Sequence, residues 1–149
     1  MELRPNCPLD THAIARLMVE RDEMYLIWPK ARWPFDHGQW RRALDPSKGH
    51  HAFLVMEGEE IIGHAALRAT GHPGTYKVSC LYLKIRWRNQ GKGQALVALL
   101  EAFAEKELCA RRLELVVRDY NPRALSCYRK CGFRITGQEG TLVRMQKIR

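Results

Sequence analysis

Between an apolar run over 76–85 and a long amphipathic run over 92–108 the chain carries Arg86-Trp87-Arg88-Asn89-Gln90-Gly91-Lys92-Gly93-Gln94. The first run reads as a strand. The second places Leu96, Leu99, Leu100 and Phe103 at i, i+3, i+4 and i+7, which predicts a helix. A strand that turns through two glycines straight into a long helix commits the chain to an α/β arrangement, with helices laid on a sheet. It also makes an anion site. A helix start offers unpaired backbone N–H groups and the positive end of its dipole. Gly91 and Gly93 allow positive φ and close approach of a ligand, and Arg86, Arg88 and Lys92 add charge nearby.

The remaining pattern extends this reading. A short strand is expected over 3–6, then a helix capped by Asp10-Thr11 and running to about Ile27, with Ile14, Leu17 and Met18 at helical spacing. Residues 28–35 hold two prolines and three aromatics and forbid a regular helix. Asp36 caps a short helix over 39–44. Strands over 51–56 and 60–69 form a hairpin about Glu57-Gly58-Glu59. A buried-type strand follows over 113–117, and Asn121-Pro122 opens a helix that stops at Gly132. A last strand spans 141–145. The predicted order is β-α-α-β-β-β-α-β-α-β, a mixed sheet with helices on its faces.

Composition narrows the setting. A chain of 149 residues with 46% hydrophobic and 28% charged residues fits one globular domain rather than a disordered or fibrous protein. No apolar stretch reaches the roughly 18 residues of a membrane span, and Met1-Glu2-Leu3-Arg4-Pro5 lacks the apolar run of a secretory signal, so a cytoplasmic location is expected. The five cysteines, Cys7, Cys80, Cys109, Cys127 and Cys131, are odd in number and scattered, which argues against a disulfide framework; His, Cys and carboxylate spacings give no metal set. Charge is unevenly spread. Residues 1–75 carry nine Lys and Arg against ten Asp and Glu, whereas residues 76–149 carry sixteen against six. A basic half suits an anionic cofactor, a nucleic acid, or both.

Two better-known phosphate loops do not fit. The dinucleotide pattern needs a third glycine where this chain has Leu96, and a Walker loop needs Ser or Thr where it has Gly93. Instead, Arg88-x-x-Gly91-x-Gly93, after a strand and opening a helix, resembles the acetyl-CoA signature of the GNAT N-acetyltransferase superfamily. Asn121-x-x-Ala124-x-x-x-Tyr128-x-x-x-Gly132-Phe133 resembles its second signature, and the hairpin over 53–67 resembles its second and third strands. The likeness covers nearly the whole chain and is weakest over 1–50.

The resemblance implies a single-domain, mostly antiparallel mixed sheet flanked by helices, with a splayed strand pair at the acyl-CoA site. It implies an acetyl group passed from acetyl-CoA to a primary amine by direct attack in a ternary complex. The loop Arg88, Asn89, Gln90, Gly91, Lys92, Gly93 and Gln94 would hold the pyrophosphate, largely through backbone N–H groups. Leu83 and Ile85 would pair with the pantetheine amides, and the Leu83 N–H would polarise the thioester carbonyl. Family members often have proline at the position of Ile85, a departure that adds an N–H here. Asn121 would cap its helix and contact the pantetheine arm, and Tyr128 would act as the acid toward the departing thiolate.

No carboxylate stands on the run 76–82, so the base is open among Glu23, His64 and a water chain. The acceptor slot is expected from the first helices and the loop between them, where Glu20, Asp22 and Glu23 precede Trp28, Trp33 and Phe35, a lining that suits a cationic amine or a solvated face over an aromatic plug. The acceptor itself, a small molecule or a peptide N-terminus, is not readable, nor is the oligomeric state, a dimer included. The alternative from another class is a non-catalytic acyl-CoA-binding or RNA-associated module. Against RNA, no basic run interleaved with aromatics is present. Stabilisation by CoA or by RNA at physiological salt separates the two.

Overall fold

The structure is a computed structural model describing residues 1–149. Seven strands form one sheet in the order β1-β2-β3-β4-β5-β7-β6. They are β1 (Glu2–Pro5), β2 (His51–Glu57), β3 (Glu60–Ala69), β4 (Thr75–Leu83), β5 (Arg112–Arg118), β6 (Arg134–Glu139) and β7 (Leu142–Ile148). Every neighbouring pair is antiparallel except β4 and β5. The helices are α1 (Thr11–Leu17), α2 (Arg21–Ile27), α3 (His37–Ala43), α4 (Lys92–Leu108) and α5 (Pro122–Lys130). The mixed, mostly antiparallel sheet with flanking helices matches the expectation.

The core lies on both faces of the sheet. Leu96, Val97, Leu100 and Ala104 of α4 pack with Phe53, Val55, Leu67, Leu113 and Leu115. On the opposite face α1, α2 and α3 bring Ile14, Leu17, Met24 and Trp40 against Ala52, Ala66, Cys80 and Tyr82. Successive strand residues point to opposite faces, so the central strands are apolar on both and read as continuous hydrophobic runs.

Three local differences from the sequence expectation have physical causes. The single helix expected to reach Ile27 is two, broken at Met18 to Glu20. A continuous helix would turn Arg21 and Asp22 toward the core occupied by Ile14, Leu17 and Met18; the break re-phases the chain so that Met24 is fully buried instead. The strand expected through Ile85 ends at Leu83, and Ile85–Trp87 forms a 3-10 turn with Ile85 exposed. Finally, β6 was absent from the expected order. It is an edge strand, mostly exposed, whose lone large apolar residue, Ile135, leaves no alternation to read.

Two irregularities shape the centre of the sheet. Cys80 has φ +53° within β4, and the β3–β4 register slips there from His64↔Tyr82 to Ala66↔Ser79. This bulge inserts an extra residue and re-aims the end of β4. In addition, β4 and β5 pair only through Thr75↔Arg112, Tyr76↔Leu113 and Lys77↔Glu114, then part. Below the bulge the strands are so close that a Cβ on Gly63 would lie 2.1 Å from the Tyr82 carbonyl oxygen. Gly63→Ala is therefore expected to destabilise the fold by about 1–3 kcal/mol, read as a lower thermal midpoint; an unchanged midpoint would show that the strands can move apart there.

Candidate active site

The parting of β4 and β5 opens a cleft of about 560 Å³ bounded by the end of β4, the start of α4 and one side of α5. At one end lies the glycine loop. Asn89 and Gly91 take positive φ (61° and 75°), and Gly91 occupies the N-cap of α4, where no side chain caps the helix. As a result the six backbone N–H groups from Asn89 to Gln94 have no hydrogen-bond acceptor within the protein. Left-handed residues alternating with ordinary ones turn successive N–H groups into one concavity, a cradle for an anion. The donor set fits a pyrophosphate.

The loop cations behave differently from the sequence expectation. Arg86 pairs with Glu60, Lys92 with Glu57 at 3.0 Å, and Arg88 with Glu23 at 2.6 Å. Lys92 also lies over the Trp87 ring, and the Gln90 side chain donates to the Arg86 carbonyl; neither Lys92 nor Gln90 lines the cleft. The local positive charge is thus spent on carboxylates, and the anion cradle is mainly backbone. Arg88 does line the cleft. Its Nε donates to the Leu83 carbonyl at 2.8 Å and its guanidinium sits over the Tyr82 ring, so it ties α2, β4 and the loop together. Arg123, Ser126 and Lys130 also line this cleft, and neither cation has a carboxylate partner. They share one face of α5 at i, i+3 and i+7, a spacing that was legible but was not read.

Farther in, Lys84 N–H bonds the Ile62 carbonyl on β3. Strand alternation then turns the Leu83 N–H away from β3, toward the open side. Leu83 lines the cleft; Ile85, exposed on its 3-10 turn, does not. Asn121 caps α5 through Oδ1 to the Ala124 N–H. Tyr128 is half-buried against Phe133, and its hydroxyl finds no partner within the protein. Burial first, then the neighbouring Cys127 and Cys131, push its phenol above the usual value.

A second pocket of about 300 Å³ adjoins the first and shares Leu26, Ile27, Leu81, Asn121, Ala124 and Tyr128 with it. Trp28 lines it. Glu23 lines the first and is the sole carboxylate on either lining. The other two acceptor-side expectations are not brought here. Trp33 is 40% exposed and lines neither pocket. His64 is fully buried beneath Trp40, with Nδ1 donating to the Cys80 carbonyl at 3.0 Å. It reaches neither pocket, and burial pushes its imidazole down to about 4, which removes it as a base for this site. No helix is long and apolar enough to cross a membrane.

Comparisons with known proteins agree with this geometry. The profile of the acetyltransferase (GNAT) family matches residues 14–133. The L-amino acid N-acetyltransferase AaaT of Escherichia coli K12 is 26% identical over 130 residues, 86% of this chain and 79% of its own. Among solved structures, the GNAT domain of S. lividans PAT superposes with a TM-score of 0.82 at 16% identity, over 99% of this chain and 89% of that one. Spermidine N-acetyltransferase from Vibrio cholerae, in complex with CoA and spermine, gives 0.78 at 18% identity, over 98% and 94%. Campylobacter jejuni PseH with acetyl coenzyme A gives 0.74 at 21%, over 99% and 98%.

His64 carries a stability consequence. Its folded-state pKa lies below the ordinary value of 6.5, so between about pH 6.5 and 4 the unfolded chain binds the extra proton. Its contribution is full above pH 6.5 and is lost as pH falls toward 4, by roughly 3 kcal/mol at most. Denaturant titrations at pH 7.5 and 4.5 are expected to show a smaller acid loss in His64→Leu than in the parent; equal losses would remove His64 from the account.

Proposed function

This chain belongs to the acetyltransferase (GNAT) family, and from that premise we propose that it transfers the acetyl group of acetyl-CoA directly to a primary amine, with acceptor and donor meeting where the two pockets join. The observation that carries the reading is the run of six unpartnered N–H groups set beside a strand pair that parts. A ligand with a pyrophosphate followed by an amide-bearing arm uses both at once. The relatives that bind acetyl-CoA or CoA, PseH and the spermidine enzyme, support the same donor.

Acetyl-CoA supplies an acyl group activated as a thioester. The chain supplies the rest. Asn89 to Gln94 hold the pyrophosphate through their N–H groups, with Arg123 and Lys130 adding charge from α5. Leu83, reached by the re-aimed end of β4, offers its N–H to the thioester carbonyl as that oxygen gains charge. Asn121 sits along the arm. The amine nitrogen forms its bond to the acyl carbon as the carbon–sulfur bond breaks, and the sulfur leaves as a thiolate. Tyr128 donates its hydroxyl to that thiolate; its high pKa keeps the phenol protonated at any pH where the amine is free. The surplus ammonium proton leaves toward Glu23 or through water, Glu23 being the sole carboxylate at hand. We place this activity in the cytoplasm.

Two substitutions test the assignment. Tyr128→Phe is expected to lower turnover by about 10²-fold with acetyl-CoA affinity nearly intact; equal loss of both would make Tyr128 a packing residue. Gly91→Asp has open space for its side chain, with nothing within 4 Å of the Cβ direction, and adds local backbone strain at φ +75°. It is expected to weaken CoA binding by on the order of tenfold or more, ~1.4 kcal/mol, measured by calorimetry. Unchanged affinity would move the donor elsewhere.

A further inference from the structure

The charged side chains of the second pocket are all of one sign. Lys30, Arg68, Lys77 and Arg118 line it, and no Asp or Glu does. None of the four has a carboxylate within salt-bridge distance, although Arg86, Arg88 and Lys92 at the glycine loop each have one. They come from separate places in the chain: the loop after α2, β3, β4 and the end of β5.

Their remaining contacts leave donors free. Arg68 gives Nε to the Ala43 carbonyl at 2.9 Å, and Arg118 gives one terminal nitrogen to Thr141 Oγ1 at 2.9 Å. The Arg118 Nε is buried with no partner. Lys77 is half-buried, and its pKa is lowered by burial first and then by Arg68, with a lesser push from Lys30. Glu114, its register partner on β5, opposes that shift but forms no ion pair with it. Cations that repel one another in a partly desolvated pocket, with Glu114 nearby but no carboxylate paired to any of them, are a standing attraction for an anion.

Position says what the anion is attached to. The pocket is continuous with the donor cleft through Leu81, Asn121 and Tyr128, so its occupant presents itself to the reacting centre. Its other walls, among them Ile27, Trp28, Val116 and Leu142, are apolar. We infer that the acceptor is a small primary amine that itself bears an anionic group, carboxylate or phosphate, seated on Lys77, Arg68 and Arg118, with an apolar portion against Trp28 and Ile27. A polyamine, which carries several positive charges and no negative one, is disfavoured by the same residues. Of the acidic residues that would suit a cationic amine, Asp22 is exposed beside Arg21, and Glu23 is engaged by Arg88. The inference rests on the acetyltransferase reading above and narrows it.

The test is a rate comparison on the full chain with acetyl-CoA, following free thiol. L-Leucine is set against L-leucinamide, O-phosphoethanolamine against ethanolamine, and spermidine against all four. At least one anionic member is expected to exceed its uncharged counterpart in kcat/KM by tenfold or more, and the pair that does so identifies carboxylate or phosphate. Lys77→Met and Arg118→Met should each raise KM for that acceptor at least fivefold more than KM for the uncharged counterpart or for acetyl-CoA, while Lys77→Arg retains most of the affinity. Preference for spermidine or for the uncharged amines overturns the inference, as does absence of turnover with every anionic amine. Acetyl-CoA binding that persists in those cases leaves the acetyltransferase reading in place, whereas loss of that binding removes both. Equal changes in all KM values on mutation assign these cations to the fold.

Discussion

The parting of β4 from β5 after three paired residues is the constraint on which the site depends. Backbone N–H and C=O groups removed from water need partners. Two central strands that separate leave a row of such groups facing a gap, where Arg88 reaches the Leu83 carbonyl and the rest stays open as the cleft. The bulge at Cys80 acts with the parting, because an extra residue in β4 changes which groups point into the gap. Gly63 makes the bulged strand possible, since any side chain there would collide with the Tyr82 carbonyl. Further along the same chain the α4 N-terminus presents its own unpartnered N–H groups. The cleft is therefore largely a backbone feature, set by geometry more than by side-chain identity.

Electrostatics divides the labour between the two pockets. Around the loop, each conspicuous cation has a carboxylate, and these pairs join distant elements: Arg88 to α2 through Glu23, and Lys92 to the β2–β3 turn through Glu57. Glu57 also receives the chain's N-terminal ammonium at 2.8 Å, so one carboxylate locks β1 and α4 to the hairpin. These pairs are partly buried, and solvent still screens them enough that each contributes only modestly to stability. Their effect here is to fix the direction in which the loop N–H groups point, leaving long-range positive charge to α5 and to the unpaired cations beside β4 and β5.

How far the sequence showed this varies with the kind of feature. The long helix from Lys92 to Leu108 and the Asn121 cap were legible because each is written in a local pattern, helical spacing in one case and a cap followed by proline in the other. The break after Leu17 and the edge strand β6 were not, because one depends on which face the core demands and the other carries too few apolar residues for any period. The turn of the loop into a helix was legible, but the fate of its cations was not. Glu23 and Arg88 are 65 residues apart, and only the fold shows that they meet. His64 illustrates the same limit. Its sequence neighbourhood is that of any strand residue, and nothing there reveals that Trp40 covers it.

Tyr128 joins these threads. A phenol whose pKa is raised by burial is a poor source of a fully transferred proton for a thiolate whose conjugate acid lies near 8.5. Complete transfer would run uphill, and burial makes it steeper. The same burial makes the hydroxyl a strong, permanently protonated donor in a site of low polarity, where a hydrogen bond to developing negative charge is worth more than in water. In the proposed reaction it therefore holds the charge on sulfur while the carbon–sulfur bond breaks, and the thiolate takes its proton afterward from solvent. That proposed role fits its place where the two pockets share a wall, and the absence of any protein partner that would compete for its hydroxyl.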